Sequence, residues 1–187
     1  MSEVSNNQLQ ELPDSVNVPA DGRILFFERD RDQFFFLSHF HAAAIEIEGE
    51  TWPTVEHYFQ AQKSFEQSYR EAIRACLRPG MAKRLGAAPE GSRKHSKDSW
   101  FRANGLKHRP DWRDVRLDIM RRADFAKFSQ HPRLAALLLS TGSAEIVEDT
   151  ALDDFWGIGP DGAGGNWAGR ILAEIREQLR KSSQAIS

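Results

Sequence analysis

The chain has 187 residues, a formal net charge of −2 and one cysteine, Cys76. This length suits a single domain that buries a core of its own. A single cysteine excludes an intramolecular disulfide and a cysteine metal cluster. The small net charge gives no global attraction to nucleic acid or to a membrane surface.

No apolar run approaches the roughly 20 residues of a membrane span, and the N-terminal residues lack the basic and apolar regions of a signal peptide. We therefore expect a cytoplasmic protein that does not engage a membrane. Residues 1–20 are polar and contain no Lys or Arg, which is typical of a disordered arm. Residues 21–181 are predicted to form the single domain, and residues 182–187 a frayed tail.

The first elements are predicted to be strands. Residues 23–28, with the sequence RILFFE, are the first candidate. Further on, Ile45 and Ile47 alternate with Glu46 and Glu48 ahead of Gly49. This period of two predicts a half-buried strand next to a hairpin.

A helical pattern follows. Thr54 is a natural N-cap for a helix from about Val55 to Phe65. A second helix carries Ile73 and is predicted to close at Pro79–Gly80, and a short third helix ends at Gly86.

The second half of the chain is also mainly helical. Residues 91–110 are polar and basic and predict a long loop, with room for one turn of helix, after which Asp111 is expected to cap a helix running through Phe128. Another helix covers residues 132–141, a short strand lies within residues 144–150, and a closing helix places Ile171 and Ile175 on one face. This order predicts an α+β fold, mostly helical, with a small β-sheet.

A glycine-rich stretch precedes the closing helix. It contains three glycines with the G-x-G-x-x-G spacing of a dinucleotide-binding loop: Gly157, Gly159 and Gly162. The residues directly before it, ALDDFW, are not a strand of branched apolar residues, and Pro160 interrupts the motif. We therefore interpret it as a turn between Asp153 and Asn166, which either approaches a phosphate closely or merely connects two elements.

The predicted first helix carries two charged residues on one face, Glu56 and Lys63. Glu56 lies in the first turn, where the helix dipole favours a carboxylate that acts as a base, a nucleophile or a stabiliser of positive charge. Lys63 suits phosphate binding or, if buried, nucleophilic attack by its amine. The alternative is that both are solvated surface residues. No metal-ligand spacing occurs in the chain, so neither a metal site nor a cofactor is expected.

Basic residues accumulate between residues 91 and 122, where ten Lys or Arg face four Asp, with Trp100, Phe101 and Trp112 among them. Such a pattern indicates a phosphate-bearing partner, since aromatic rings stack on bases while cations hold phosphate. The alternative is a solvated face in which Trp112 is only a core anchor.

Several separate motifs resemble the NADAR family, and within it the YbiA-like branch: LSHF, TWPTVEHYFQAQK, the segment beginning DWRDVRLDIM, and DDFWGIGPDGAGGNW. The resemblance covers residues 23–181. It implies an N-glycosidase that cleaves the bond between ribose C1′ and a nitrogen. The implied partners are a phosphate-bearing ribosyl small molecule, such as the phosphoribosylamino-pyrimidine intermediates of riboflavin synthesis, or ADP-ribosyl-guanine in nucleic acid.

The resemblance also implies roles for particular residues. The candidate catalytic residues are Glu56, Lys63 and Asp153, with Lys63 offering a covalent route through a Schiff base. The candidate substrate-binding residues are Trp112, Trp156, Asn166, His39 and Gly157. The loop that carries Trp156 is then expected to form a pocket wall facing Glu56.

Two positions depart from the family pattern. Family members often have Asn where this chain has His39, and the YbiA-like branch has Asp where this chain has Ile158. These departures concern the identity of the substrate more than the type of reaction. The alternative functions are a non-catalytic module that binds ADP-ribose or NAD, and a nucleic-acid-binding protein that uses the basic segment. The sequence gives no oligomeric state.

Overall fold

A computed structural model of the chain describes residues 15–27, 32–88 and 96–184. Within these ranges the strands form two small sheets: β1 Arg23–Phe26, β2 Ile45–Ile47, β3 Glu50–Trp52 and β4 Glu145–Glu148. Strand β1 pairs in parallel with β4, and β2 pairs antiparallel with β3. The predicted hairpin is thus confirmed, with Glu48 and Gly49 at its turn, both at positive φ.

The α-helices of the described ranges are α1 Val55–Ala61, α2 Gln67–Arg74, α3 Pro79–Leu85, α4 Trp100–Ala103, α5 Trp112–Gln130, α6 Pro132–Ser140 and α7 Trp167–Gln184. Two 3-10 segments, Asp32–Leu37 and Ser96–Asp98, complete the order. The predicted mostly helical α+β fold is confirmed. None of the described helices is long and apolar enough to cross a membrane.

The first helix is shorter than predicted, because α1 ends at Ala61 and not at Phe65. The carbonyl of Lys63 accepts a hydrogen bond from the backbone N–H of Arg109 at 2.8 Å, where a continuing helix would use its own N–H. Phe65 is 72% exposed, and its ring lies 4.2 Å from the Arg109 guanidinium carbon. Lys63 therefore lies beyond the C-terminal end of α1. Its side chain turns inward from this position.

The prediction that Pro79–Gly80 closes the second helix is wrong. Helix α2 already ends at Arg74, and Pro79 is the first residue of α3. The first turn of a helix tolerates proline because the missing N–H would have no partner there. The predicted stop at Gly86 is confirmed.

The long helix α7 packs closely on β4, and Gly169 makes that approach feasible. A Cβ atom at this position would lie 1.9 Å from the carbonyl oxygen of Ile146. Ile171, Leu172 and Ile175 of α7 are buried, as the predicted apolar face of this helix requires. The β1–β4 pair thereby becomes part of the core.

Most of the predicted arm, residues 1–14, and residues 185–187 of the predicted tail lie outside the described residues. In the described part of the arm, Val16 is buried against the core. At the other end, helix α7 continues to Gln184.

Candidate active site

Three aromatic rings from three separate elements meet at one place. The Phe59 ring, from α1, lies 4.9 Å from the ring of Trp112 and 5.3 Å from that of Trp156, measured between centroids. Trp112 begins α5, while Trp156 lies in the loop that follows β4. The two tryptophans singled out in the sequence are therefore neighbours across Phe59, and we call these three residues the aromatic cluster.

Glu56 lies in the first turn of α1 and is 5% exposed. Its Oε1 accepts a hydrogen bond from Gln60 Nε2 at 2.8 Å, and its backbone N–H donates to the His39 carbonyl at 3.2 Å. The interpretation of Glu56 as a solvated surface residue is therefore wrong. The helix N-terminus favours a negative charge at this position.

Lys63 points back toward the aromatic cluster. Its Nζ donates to the Gly86 carbonyl at 2.8 Å and lies 5.6 Å from the Trp112 centroid and 5.9 Å from the Phe59 centroid. Burial lowers the pKa of Lys63 to about 8, with the charge of Lys83 adding to the shift and that of Glu56 opposing it. A lysine with a lowered pKa can supply a neutral amine as a nucleophile.

His39 lies at the edge of the same cluster, with its ring 6.4 Å from the ring of Trp156. Its Nε2 is 3.1 Å from Asp124 Oδ2, and both side chains are buried. Burial alone lowers the pKa of His39, but the carboxylates of Asp124, Glu148 and Glu56 outweigh it, so the net direction is upward. A positive charge on His39 is thus stabilised beside Glu56.

Lys127 anchors the backbone of the segment that carries His39. The Lys127 Nζ, fully buried, donates to the carbonyls of Phe36 and Ser38 at 2.6 and 2.9 Å. Since the His39 carbonyl in turn accepts from the Glu56 N–H, this anchor extends to the start of α1.

Asp153 shapes the loop that presents Trp156. Its Oδ1 accepts hydrogen bonds from the backbone N–H groups of Phe155 and Trp156, at 2.9 and 2.8 Å. A short side chain that bonds the backbone two residues ahead is typical of a tight turn. The structure therefore gives this predicted catalytic residue a positioning contact.

Asn166 and Gly157, two of the predicted substrate-binding residues, contact the sheet. The Asn166 amide accepts from the Glu148 N–H and donates to the Ile146 carbonyl, both at 2.9 Å, as a neighbouring strand would. A Cβ on Gly157 would lie 2.4 Å from Thr150 Cγ2 and 2.6 Å from the Glu148 carbonyl oxygen. Both residues therefore fasten the glycine-rich loop to β4.

Glu148, the last residue of β4, was not predicted from the sequence as part of the site. Its Oε2 is buried and has no hydrogen-bond partner in the part of the chain that the structure describes. Burial raises the pKa of Glu148; the charges of His39 and Lys83 oppose this shift, and those of Asp153 and Glu56 add to it. The alternation of side chains along a strand could have indicated Glu148, because it places this acidic residue on the same strand face as buried Ile146.

His57 has a structural role. Its Nδ1 lies 2.8 Å from Thr54 Oγ1, and its Nε2 lies 3.0 Å from the Cys76 carbonyl oxygen, so both ring nitrogens are engaged. Among the described residues, no three His, Cys, Asp or Glu side chains are grouped to hold a metal ion.

The aromatic residues of the basic segment pack mainly in the hydrophobic core. Phe101 is buried, and its ring lies 4.7 Å from the ring of Tyr69, while that of Trp100 lies 5.1 Å from the same ring. Arg109 forms a two-point ion pair with Asp111. In this segment, Trp112 contributes to the aromatic cluster as well as to the core.

Comparison with known proteins shows the family to which the chain is similar. The sequence profile of the NADAR domain matches residues 25–180. The N-glycosidase YbiA of Escherichia coli (strain K12) is 43% identical over 156 residues, which are 83% of this chain and 88% of that protein. A riboflavin biosynthesis protein of Vibrio vulnificus is 37% identical over 84% of this chain but only 39% of its own length.

A solved structure extends the similarity to the fold. The NMR structure of the E. coli protein YbiA matches with a TM-score of 0.71 at 40% sequence identity, and the match covers 86% of each chain.

Proposed function

Since this chain belongs to the NADAR family and is an N-glycosidase, we propose that it hydrolyses the bond between ribose C1′ and nitrogen in a phosphate-bearing ribosyl substrate. The observation that carries the proposal is the placement of Glu56 and Lys63 beside the aromatic cluster. A relative named for riboflavin biosynthesis favours phosphoribosylamino-pyrimidine intermediates as one substrate class. ADP-ribosyl-guanine in nucleic acid is the second.

The aromatic cluster accounts for recognition of the base. The rings of Trp112 and Trp156 flank Phe59 and offer faces on which a pyrimidine or purine can stack.

Two cationic side chains are suited to bind the phosphate of the substrate. Lys83 is exposed on α3, and its charge reaches Lys63 and Glu148.

The second cation is Arg116 of α5. Its guanidinium carbon lies 3.5 Å from the ring centroid of Phe155, which stacks perpendicular to Trp156. The Nε of Arg116 is buried without a partner among the described residues. A guanidinium that lies over an aromatic ring and keeps an unpaired N–H is suited to phosphate recognition.

Cleavage of an N-glycoside builds positive charge on the ribose around C1′. We assign Glu56 to stabilise this charge, since its carboxylate is buried and fixed by Gln60. The neutral Lys63 amine attacks C1′ as the C1′–N bond breaks, and the electron pair leaves on the base nitrogen, which takes up a proton. The C1′–O4′ bond then opens, one amine proton passes to O4′, and a protonated Schiff base between Lys63 and C1′ remains. Water then hydrolyses the resulting Schiff base, which releases the sugar and restores the amine; Asp153 is the candidate base for this water.

The test is incubation of the purified protein with a phosphoribosylamino-pyrimidine and, separately, with ADP-ribosylated guanosine, followed by mass detection. We expect a free base and a free ribose phosphate or ADP-ribose from at least one of them. Intact substrate after long incubation would contradict the proposal. Tight binding of ADP-ribose without any release of base would instead identify a non-catalytic module.

A further inference from the structure

Glu148 is an acidic residue close enough to Glu56, His39 and Asp153 for their charges to act on its carboxyl group. It ends β4, immediately before the loop that carries Asp153 and Trp156. Its buried Oε2 has no hydrogen-bond partner among the described residues. An unsatisfied buried carboxyl oxygen is costly in a folded protein, which favours a role in binding or proton transfer.

The backbone at Glu148 is held firmly on both edges. On one edge, β4 pairs with β1, where Glu148 lies opposite Phe26. On the other, the Glu148 N–H donates to the Asn166 side chain at 2.9 Å, and its carbonyl accepts from the Ile158 N–H at 3.1 Å. The side chain is therefore presented from a rigid support, which suits a group that must meet a reacting atom.

Glu56 and Glu148 have different surroundings. Glu56 lies at a helix N-terminus, where its Oε1 accepts a hydrogen bond from Gln60 Nε2. The buried Oε2 of Glu148 has no such donor among the described residues. Burial of Glu148, reinforced by the charges of Asp153 and Glu56 and opposed by those of His39 and Lys83, raises its pKa. A hydrogen-bonded carboxyl group and an acid with a raised pKa suit the two roles of glycoside cleavage.

We propose that Glu148 is the catalytic acid of this site, a role that rests on the proposed N-glycosidase reaction. Its carboxyl O–H donates the proton to the departing base nitrogen while the C1′–N electron pair moves onto that nitrogen. Of the two protons of the water that hydrolyses the Schiff base, the one that Asp153 takes up returns to the Lys63 amine, and the other restores the carboxyl group of Glu148. Glu56 faces the developing positive charge.

The test compares Glu148→Gln with Glu145→Gln, a matched change at the exposed end of the same strand. Both variants are assayed on the N-glycoside that the wild-type protein cleaves. Loss of a general acid lowers kcat by roughly 100- to 10,000-fold. We expect this loss in Glu148→Gln with KM changed less than about threefold, and wild-type rates in Glu145→Gln.

The pH profile separates an acid from a merely structural residue. The wild-type rate falls on the alkaline side as Glu148 loses its proton, whereas the residual rate of Glu148→Gln does not fall there. Glu148→Asp keeps a carboxyl group and is expected to retain the alkaline decline at a lower rate, which also guards against a folding defect in the amide variant.

Wild-type kcat in Glu148→Gln, or an unchanged alkaline decline in that variant, would overturn the assignment of Glu148 alone. A wild-type protein that releases no base would contradict the proposed function itself. The two failures are therefore distinguishable in one set of assays.

Discussion

At the scale of single residues, the candidate site contains a lysine whose pKa is lowered by burial. Burial lowers the pKa of Lys63 to about 8, so about one-tenth of the amines are neutral at pH 7. An exposed lysine would be almost fully protonated at that pH. The bond from Lys63 Nζ to the Gly86 carbonyl fixes the amine near Trp112.

A neutral amine that attacks C1′ predicts a Schiff base that can be trapped. Sodium borohydride, added while substrate turns over, is expected to fix one sugar moiety on Lys63, as found by peptide mass analysis. Lys63→Arg is expected to give no adduct and no release of base. Lys181→Arg, a change at an exposed residue of α7, is the control and is expected to match the wild type. Full activity in Lys63→Arg would contradict the covalent route.

The sequence predicted much of the centre of the site, but not all of its contacts. Glu56 was recognisable from its place in the first turn of an N-capped helix, and Trp156 from its place in the glycine-rich loop. Glu148 was not, because an acidic residue in a strand pattern is normally taken for the solvent side. Nor can a sequence tell whether Asn166 faces a ligand or, as here, the backbone of β4.

At the scale of elements, the glycine-rich loop is a spacer fastened to β4. Gly157 lies against the Glu148 carbonyl, Gly169 lets α7 approach Ile146, and the Asn166 amide bridges the strand edge. The loop thereby fixes the positions of Trp156 and Glu148 relative to one another.

Replacing Asn166 with Ala is expected to lower the free energy of unfolding by about 1–3 kcal/mol, because two buried backbone groups of β4 lose their partner. The matched control is Asn104→Ala, which removes one exposed bond to the Trp100 carbonyl. Its expected cost is below about 1 kcal/mol. Urea denaturation measures the free energy of unfolding of both variants. Equal losses would show that the Asn166 bridge stabilises the fold no more than the exposed bond of Asn104.

Element boundaries were predictable where they depend on local chemistry and not where they depend on tertiary contacts. The cap at Thr54 and the stop at Gly86 are local signals. The early end of α1 results from the bond between Arg109 and Lys63, residues 46 positions apart, which no local pattern contains. Proline at position 79 permits either a stop or a start, and only the fold decides between them.

At the scale of the whole molecule, distant segments combine to form the site. Strands β1 and β4 pair although more than a hundred residues separate them, so their partnership could not be predicted from sequence periodicity. The fold also buries several histidines. Burial lowers the pKa of His41 and of His108 to about 4, with the charge of Lys63 adding to the shift at His108.

Partly buried histidines whose pKa is lowered make stability depend on pH. Between pH 6.5 and about 4, the unfolded chain binds a proton at His108 that the folded protein does not bind, so stability falls as pH falls. His108→Gln is expected to reduce the slope of unfolding free energy against pH in this window by up to about 1.4 kcal/mol per pH unit. His39, whose pKa is raised, contributes with the opposite sign in both proteins. Identical slopes in denaturation series at pH 4.5–6.5 would contradict the prediction.

In the proposed reaction, this fold aligns the buried carboxylate of Glu56 with the ribose of an N-glycoside. The most direct measurement is base release by Glu56→Gln, which retains the oxygen that accepts from Gln60 Nε2. Glu71→Gln is the control, since Gln67 donates to Glu71 over the same four-residue spacing, in the reverse chain order, on the exposed side of α2. We predict that Glu56→Gln unfolds like the wild type but loses base release by at least roughly 100-fold, while Glu71→Gln keeps it. Base release at the wild-type rate in Glu56→Gln would contradict the account.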